Sequence, residues 1–260
     1  MTLSMTMPCA RSDDHAWRRL RAAASAPYRD AGRFAWHFAR GKLGFDPVFR
    51  HVLQHGLLAA GGRVLDIGCG QGLLASLLLA AGRADAWPEG WAPAPRGARV
   101  TGIELMLRDV ERARRALGGA AEFHCADMRD AQLPACDAVV ILDVLHYIDL
   151  AAQDALLARV HQALAPGGRL LLRVGDAQAR HGFAVSQWVD RIVTAVRGHR
   201  VPPTFCRPLP AWMARLQALG FAVEARPMSQ GMPFANVLLV AQRAGEGRST
   251  ASLSEGGASR

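Results

Sequence analysis

Two hydrophobic rhythms alternate along the middle and end of the chain. Short apolar runs predict strands, and segments whose apolar residues recur every three or four positions predict helices. The predicted strands cover 63–67, 99–103, 121–125, 137–142, 169–174, 221–226 and 236–242. The predicted helices cover 71–81, 105–117, 150–164, 184–196 and 210–219. This alternation is typical of an α/β fold: an open, doubly wound, mostly parallel sheet with helices on both faces.

The two ends of the chain follow a different pattern. Residues 1–60 predict a helical N-terminal extension, with one helix from Asp13 or Asp14 to Ser25 and another over 48–58 that Asp46 caps and Pro47 begins. Between them, aromatic side chains alternate with arginines over 28–45, which suits either a lid over a substrate pocket or aromatic packing on the core. A ligand-binding domain is predicted over 61–243, and a disordered tail over 244–260.

The most informative stretch is Val64 to Gly72, where a short apolar run ends in the pattern D-x-G-x-G-x-G. It predicts a buried strand, a tight turn and the start of a helix, whose free N–H groups would face a ligand. A dinucleotide fingerprint, G-x-G-x-x-G, would need its third glycine where Leu73 stands, which argues against a nicotinamide-dependent oxidoreductase. A glycine-rich turn of another α/β protein remains an alternative for this motif taken alone.

Two further carboxylates follow predicted strands. Glu104 ends the second strand, where a carboxylate can accept both hydroxyls of a ribose, unless it is simply solvated. The glycine turn lies further from Glu104 than is usual, because a Trp-, Pro- and Gly-rich loop over 83–98 is inserted before the second strand. Asp127 follows the third strand, where it could bind a ligand or cap the next turn.

Together, these motifs resemble the class I S-adenosylmethionine-dependent methyltransferases over roughly residues 60–242. The resemblance includes Asp143 after the fourth strand and an L-x-P-G-G turn at 164–168. It implies seven strands, the last antiparallel, and S-adenosylmethionine as the cofactor. In this family Asp127 would bind the adenine amino group and Met128 would pack on the ring. The implied cofactor contacts are Asp66, Gly68, Cys69, Gly70, Gly72, Glu104, Leu105, Asp127, Met128 and Asp143.

The sequence gives a less specific prediction for the methyl acceptor and the residues that would contact it. The stretch from Asp143 to Tyr147 replaces the Asn/Asp-Pro-Pro-aromatic motif of enzymes that methylate nucleic-acid amino groups, and it resembles small-molecule methyltransferases instead. His146 is the best candidate for a general base, with a packed histidine as the alternative. Weaker candidates are Tyr147, His37 and His181. Residues 28–49 resemble methyltransferases of bacterial aryl-polyene-type clusters, which implies an aromatic or polyketide-like acceptor.

Charge and composition narrow the range of possible binding partners. The net charge is +9, and residues 11–50 hold nine Arg or Lys against four Asp. This surplus suits an acidic acyl carrier protein that presents the acceptor, although solvated arginines are an alternative. RNA methylation and an inactive methyltransferase-like scaffold stay open, but no dense basic and aromatic run favours nucleic acid. No membrane span, signal peptide or metal site is predicted, so a cytoplasmic location is expected.

Overall fold

A seven-stranded sheet forms the centre of the computed structural model, which describes residues 9–175, 205–228 and 236–245. The strand order is β3-β2-β1-β4-β5-β7-β6, and only β7 runs antiparallel to its two neighbours, β5 and β6. The predicted open, mostly parallel sheet with one antiparallel strand is therefore confirmed. The strands are β1 (Arg63–Ile67), β2 (Arg99–Glu104), β3 (Glu122–Cys125), β4 (Cys136–Leu142), β5 (Leu164–Gly175), β6 (Phe221–Pro227) and β7 (Asn236–Arg243).

Helices cover both faces of the sheet. In β4, Ala138 and Val140 join one apolar cluster, while Val139 and Ile141 join the cluster on the opposite face. This alternation explains why the strand is apolar at nearly every position. Within the described ranges the α-helices are α1 (Cys9–Ser25), α2 (Arg33–Phe45), α3 (Pro47–Gln54), α4 (Leu73–Gly82), α5 (Leu107–Leu117), α6 (Leu150–Ala163) and α7 (Leu209–Ala218).

The N-terminal extension is bonded to the start of α4. The Tyr28 hydroxyl, fully buried, donates to the carbonyl of Gln71 at 2.8 Å. The Gln71 side-chain amide donates to the carbonyl of Ala35 at 2.8 Å, and the Ser76 hydroxyl donates to that of Ala24 at 2.6 Å. Because these bonds fall on both sides of Gly72, the extension fixes the turn that precedes α4.

Three local predictions differ from the structure. Helix α2 was not predicted, because aromatic and basic residues obscure its helical spacing. Helix α3 is capped by Asp46 as predicted, through a 3.1 Å bond from the Val48 amide, but it ends at Gln54, two residues before Gly56 turns the chain with a φ of 57°. Strand β5 already begins at Leu164, and a register shift against β4 takes up the Pro-Gly-Gly turn.

Several predictions fall on residues outside the described ranges. They are the helix over 184–196, the candidate His181, and the tail beyond residue 245. No helix among the described residues is long and apolar enough to cross a membrane.

Candidate functional site

The glycine turn after β1 has one open position between two packed ones. A Cβ atom added to Gly68, whose φ is +75°, would lie 2.5 Å from a methyl carbon of Val144, and one added to Gly72 would lie 2.7 Å from the ring of Phe123. At Gly70, whose φ is +54°, an added Cβ would meet no atom within 4 Å. Gly68 and Gly72 are therefore required by the packing of the protein, while Gly70 leaves the space in which a ligand can approach.

Glu104 connects the glycine turn to the end of β2. Its carboxylate accepts hydrogen bonds from the backbone amides of Gly70 and Met106, both at 2.9 Å. A carboxylate offers about four acceptor positions, so these two bonds leave capacity for ligand hydroxyls. The end of β2 therefore lies beside the glycine turn.

Asp66 lies behind this turn and is 95% buried. Burial, and then the negative charge of Glu104, raises the pKa of Asp66 to about 7. Among the described residues, no Lys or Arg forms an ion pair with Asp66 or Glu104. These two carboxylates therefore form a negative site without a compensating cation from the described part of the chain.

The other predicted contacts lie in the turns that follow β1, β2 and β3. Cys69 is buried, and its amide donates to the carbonyl of Ile103 at 3.2 Å. Leu105 follows Glu104 and is 58% exposed, while Met128 is partly buried. Asp127 accepts from the guanidinium of Arg129 at 2.6 Å, and this hydrogen bond lowers the pKa of Asp127.

Asp143 belongs to a second, charge-balanced cluster. It has a left-handed φ of 58°, and its carboxylate accepts two bonds from Arg173, that from Nε at 2.8 Å. The same guanidinium, 2% exposed, reaches Asp46 at 2.7 Å, and the Lys42 ammonium lies 2.7 Å from Asp46. Burial alone would raise the pKa of Asp46, but Arg173 and then Lys42 lower it overall.

The turn that carries His146 is held from behind by a buried amide. His146 lies in a 3-10 turn after β4, and its carbonyl accepts from the Phe205 amide at 2.8 Å. Gln153, fully buried in α6, donates to the carbonyls of Leu145, Ile148 and Phe205 at 3.1, 3.0 and 2.9 Å. Because Val144 also covers Gly68, this turn adjoins the glycine turn.

Four polar residues of this region were not predicted: Tyr28, Gln71, Gln153 and Arg173. A signal existed for Arg173, because a charged residue inside the apolar strand 169–174 has to be paired when it is buried. Tyr28 and Gln71 gave no such signal, because their partners are backbone carbonyls distant in sequence. The partners of Gln153 are also backbone carbonyls, two of them nearby and one 52 positions away, and no sequence pattern marks such bonds. Within the described ranges, no group of three or more His, Cys, Asp or Glu side chains could hold a metal ion.

The similarities to known proteins concern the family and the fold. A family model described as a methyltransferase domain matches residues 35–225. The chain is 31% identical over 87 residues to the tetracenomycin polyketide synthesis 8-O-methyl transferase of Streptomyces glaucescens, covering 32% of this chain and 26% of that protein. It is 32% identical over 152 residues to the carboxy-S-adenosyl-L-methionine synthase of Dichelobacter nodosus, covering 54% of this chain and 64% of that protein.

Both matches span less than two thirds of the relatives' own lengths. Among solved structures, human N-acetylserotonin methyltransferase in complex with S-adenosylmethionine superimposes with a TM-score of 0.57. The sequence identity is 18%, and the match covers 91% of this chain and 66% of that one. This last likeness establishes the shared fold.

Proposed function

This chain belongs to the methyltransferase family, and we propose that it transfers a methyl group from S-adenosylmethionine to a small-molecule acceptor. The observation that carries the proposal is the pair Asp66 and Glu104 beside the open space at Gly70. The cofactor bears an ammonium and a sulfonium cation, so a negative site without its own cation suits it. The family prediction made from the sequence is confirmed.

Each residue around the open space has a role that its position supports. Glu104 would accept the ribose hydroxyls with the acceptor capacity that Gly70 and Met106 leave. Asp66, directly or through a water, would bind the ammonium group. Asp127 would turn from the exposed Arg129 to the adenine amino group, at small cost because such surface pairs contribute about 0–1 kcal/mol. Leu105 and Met128 would pack on the ring, and Cys69 would line the turn.

Chemistry at this site would consist mainly of positioning. When bound, S-adenosylmethionine supplies an electrophilic methyl group on a positively charged sulfur. The chain's part is to orient the acceptor and exclude water, which together can contribute roughly 7–11 kcal/mol. Asp143, held by Arg173, would shape the acceptor end of the site rather than bind through a free carboxylate. His146 would take a proton from an acceptor hydroxyl, since imidazole changes its protonation near neutral pH.

The acceptor is proposed to be aromatic or polyketide-like and presented by an acidic acyl carrier protein. Helix α2 exposes Phe34 and Phe45, at 50% and 79%, on the same element that holds Arg33, Arg40 and Lys42. Apolar side chains among cations suit an acidic partner with an apolar cargo. The Streptomyces relative is a polyketide synthesis methyl transferase, which supports an acceptor of this kind.

The first experiment is calorimetric binding of S-adenosylmethionine and S-adenosylhomocysteine to the wild-type chain and to Glu104→Ala. We expect tight binding that the substitution weakens at least tenfold, because each charge-assisted bond contributes about 1.5–3 kcal/mol. Glu122→Ala, which removes an exposed carboxylate from β3, is the matched control and should leave affinity unchanged. A folded wild-type protein that binds neither compound would refute the proposal and favour the inactive scaffold.

The second experiment tests the acceptor. Methyl transfer to an aromatic polyketide acid should be faster when the acid is attached to a carrier protein, and the difference should shrink as salt screens the charges. Equal rates on free and carrier-bound acid would exclude the carrier. Transfer to RNA instead, with salt-dependent affinity, would establish the rival function.

His146→Gln should lower turnover and remove a titration step from its pH profile; an unchanged profile would exclude His146 as the base.

A further inference from the structure

A cavity of about 620 Å³ lies on the outer side of α4, away from the glycine turn. Its walls come from α1, α4, the inserted loop and the end of α5, and neither the glycine turn nor Glu104, Asp127 or His146 lines it. On α4 the cavity is lined by Ser76, Leu79 and Ala80, of which Ser76 lies one helical turn after Gly72. The cavity is therefore separate from the methyl-transfer site.

The interior of this cavity is apolar. Leu20, Ala23, Leu79, Ala80 and Leu117 line it. The Ser76 hydroxyl also faces it but already donates to the carbonyl of Ala24 at 2.6 Å. The volume falls within the range of about 300–1,000 Å³ that is usual for small-molecule sites. An occupant would thus have to contribute an apolar body.

The rim of the cavity is cationic. Arg19 and Arg83 line it and are exposed, beside the exposed His15 and a single carboxylate, Asp85. Within the described ranges, neither arginine is among the residues that form salt bridges. Two guanidinium groups against one carboxylate leave a net positive rim, which complements an anionic group at the end of an apolar ligand.

The inserted loop is held in place as a wall. Arg96 donates to the carbonyls of Gly82 and Ala84 at 3.1 and 3.2 Å, and the Trp87 indole donates to that of Ala92 at 2.8 Å. The loop contacts α1 through Trp91, whose ring centroid lies 6.3 Å from that of Trp17. A wall already fixed in the free protein lowers the ordering cost of binding.

We propose that this cavity is a second ligand site, which takes an amphipathic carboxylate: an apolar chain in the interior and its carboxylate at Arg19 and Arg83. The site gives a role to the inserted loop, which the methyl-transfer site leaves unused, and it includes residues of α1. Helix α1 lies before the residues that match the methyltransferase family model. The proposal does not depend on the chain's being an active methyltransferase.

The test is calorimetric titration of the full chain with dodecanoate, and with dodecanol as the uncharged probe of equal chain length. Dodecanoate should bind with one-to-one stoichiometry and more tightly than dodecanol. Arg19→Ala combined with Arg83→Ala should weaken dodecanoate binding on the order of fivefold, because exposed ion pairs are individually weak. Arg18→Ala, its exposed neighbour outside the cavity, is the matched control and should change nothing.

Ala80→Phe should fill the interior and abolish binding of both probes, while cooperative thermal unfolding shows that the variant is folded. The arginine variants change exposed residues only, so they keep the test valid if Ala80→Phe fails to fold. Absence of saturable dodecanoate binding to the wild-type chain would overturn the proposal. Binding that survives in a folded Ala80→Phe, or that the arginine substitutions leave unchanged, would overturn it as well. S-adenosylmethionine binding, measured separately, reports on the proposed function alone.

Discussion

Two pairs of carboxylates lie near the carboxyl ends of the central strands, and they differ in how their charges are balanced. Asp46 and Asp143 share the buried guanidinium of Arg173, and Lys42 adds a second cation, so four charges cancel. Asp66 and Glu104 have no such partner among the described residues, and burial together with Glu104 raises the pKa of Asp66 to about 7. A balanced pair can serve the fold, whereas an unbalanced pair is suited to a cationic ligand.

Removing Arg173, the cation that the balanced pair shares, should lower the free energy of unfolding most. Arg173→Met would leave Asp46, which is 6% exposed, and Asp143 without their buried partner. Loss of one partner of a buried pair typically costs about 3–5 kcal/mol. Urea unfolding should therefore show a loss of that size relative to wild type. Arg108→Met, on the exposed face of α5, is the control and should change the free energy of unfolding by less than about 0.5 kcal/mol. A comparable loss in both variants would mean that the buried network adds nothing.

The unbalanced pair, Asp66 and Glu104, should make the free energy of unfolding depend on pH. An unfolded chain releases the Asp66 proton near pH 3.8, whereas the folded chain holds it to about pH 7. The stability that this proton provides is complete below pH 3.8 and lost as the pH rises through 7. By linkage the loss amounts to at most about 4 kcal/mol.

Asp66→Asn should remove this decline, so the variant gains stability relative to wild type between pH 4 and 8. Denaturant unfolding across that range measures the gain. Asp137→Asn is the control: because the hydrogen bond from Arg63 lowers the pKa of Asp137, this carboxyl is ionised in the folded and the unfolded chain above pH 4, and its substitution should change stability by the same amount across that range. A difference between Asp66→Asn and wild type that stays constant with pH would contradict an elevated Asp66 pKa.

Lys42, the exposed cation of the balanced cluster, should contribute least to the free energy of unfolding. The Lys42 side chain is 39% exposed, and partly solvated ion pairs contribute about 0–1 kcal/mol. Lys42→Met should thus lower the free energy of unfolding by less than about 1 kcal/mol, and added salt should reduce this effect further. A loss as large as that of Arg173→Met would show that the charge of the cluster as a whole, and not burial of the guanidinium, sets its strength.

The same contrast separates what the sequence predicts from what it does not. The positions of the strands, the glycine turn and the place of Glu104 at the end of β2 follow from local patterns, since each depends on residues close together in the chain. The pairing of Asp46 with Arg173 joins residues 127 positions apart, and no spacing in the sequence predicts it. Asp143 was predicted as a cofactor contact from its place after β4, yet its carboxylate is bonded to Arg173.

Helix α2 and the packing of the inserted loop against α1 were not predicted, for a related reason. Arg33–Phe45 buries Ala35, Ala39 and Leu43 while exposing Phe34 and Phe45, so apolar residues occur on both faces and conceal the helical stripe. The role of the loop depends on its docking against α1, which brings Trp91 to Trp17, 74 positions earlier in the chain. Tertiary contacts of this kind become visible only in the folded structure.

The bond between Asp46 and Arg173 also imposes an order of events during synthesis. At roughly 5–20 residues per second, a ribosome needs about 6–25 seconds to travel from Asp46 to Arg173. Throughout that interval the nascent N-terminal segment has Lys42 as a partner for Asp46 but not yet its buried guanidinium. The final attachment of this segment to the sheet has to wait until β5 has left the exit tunnel.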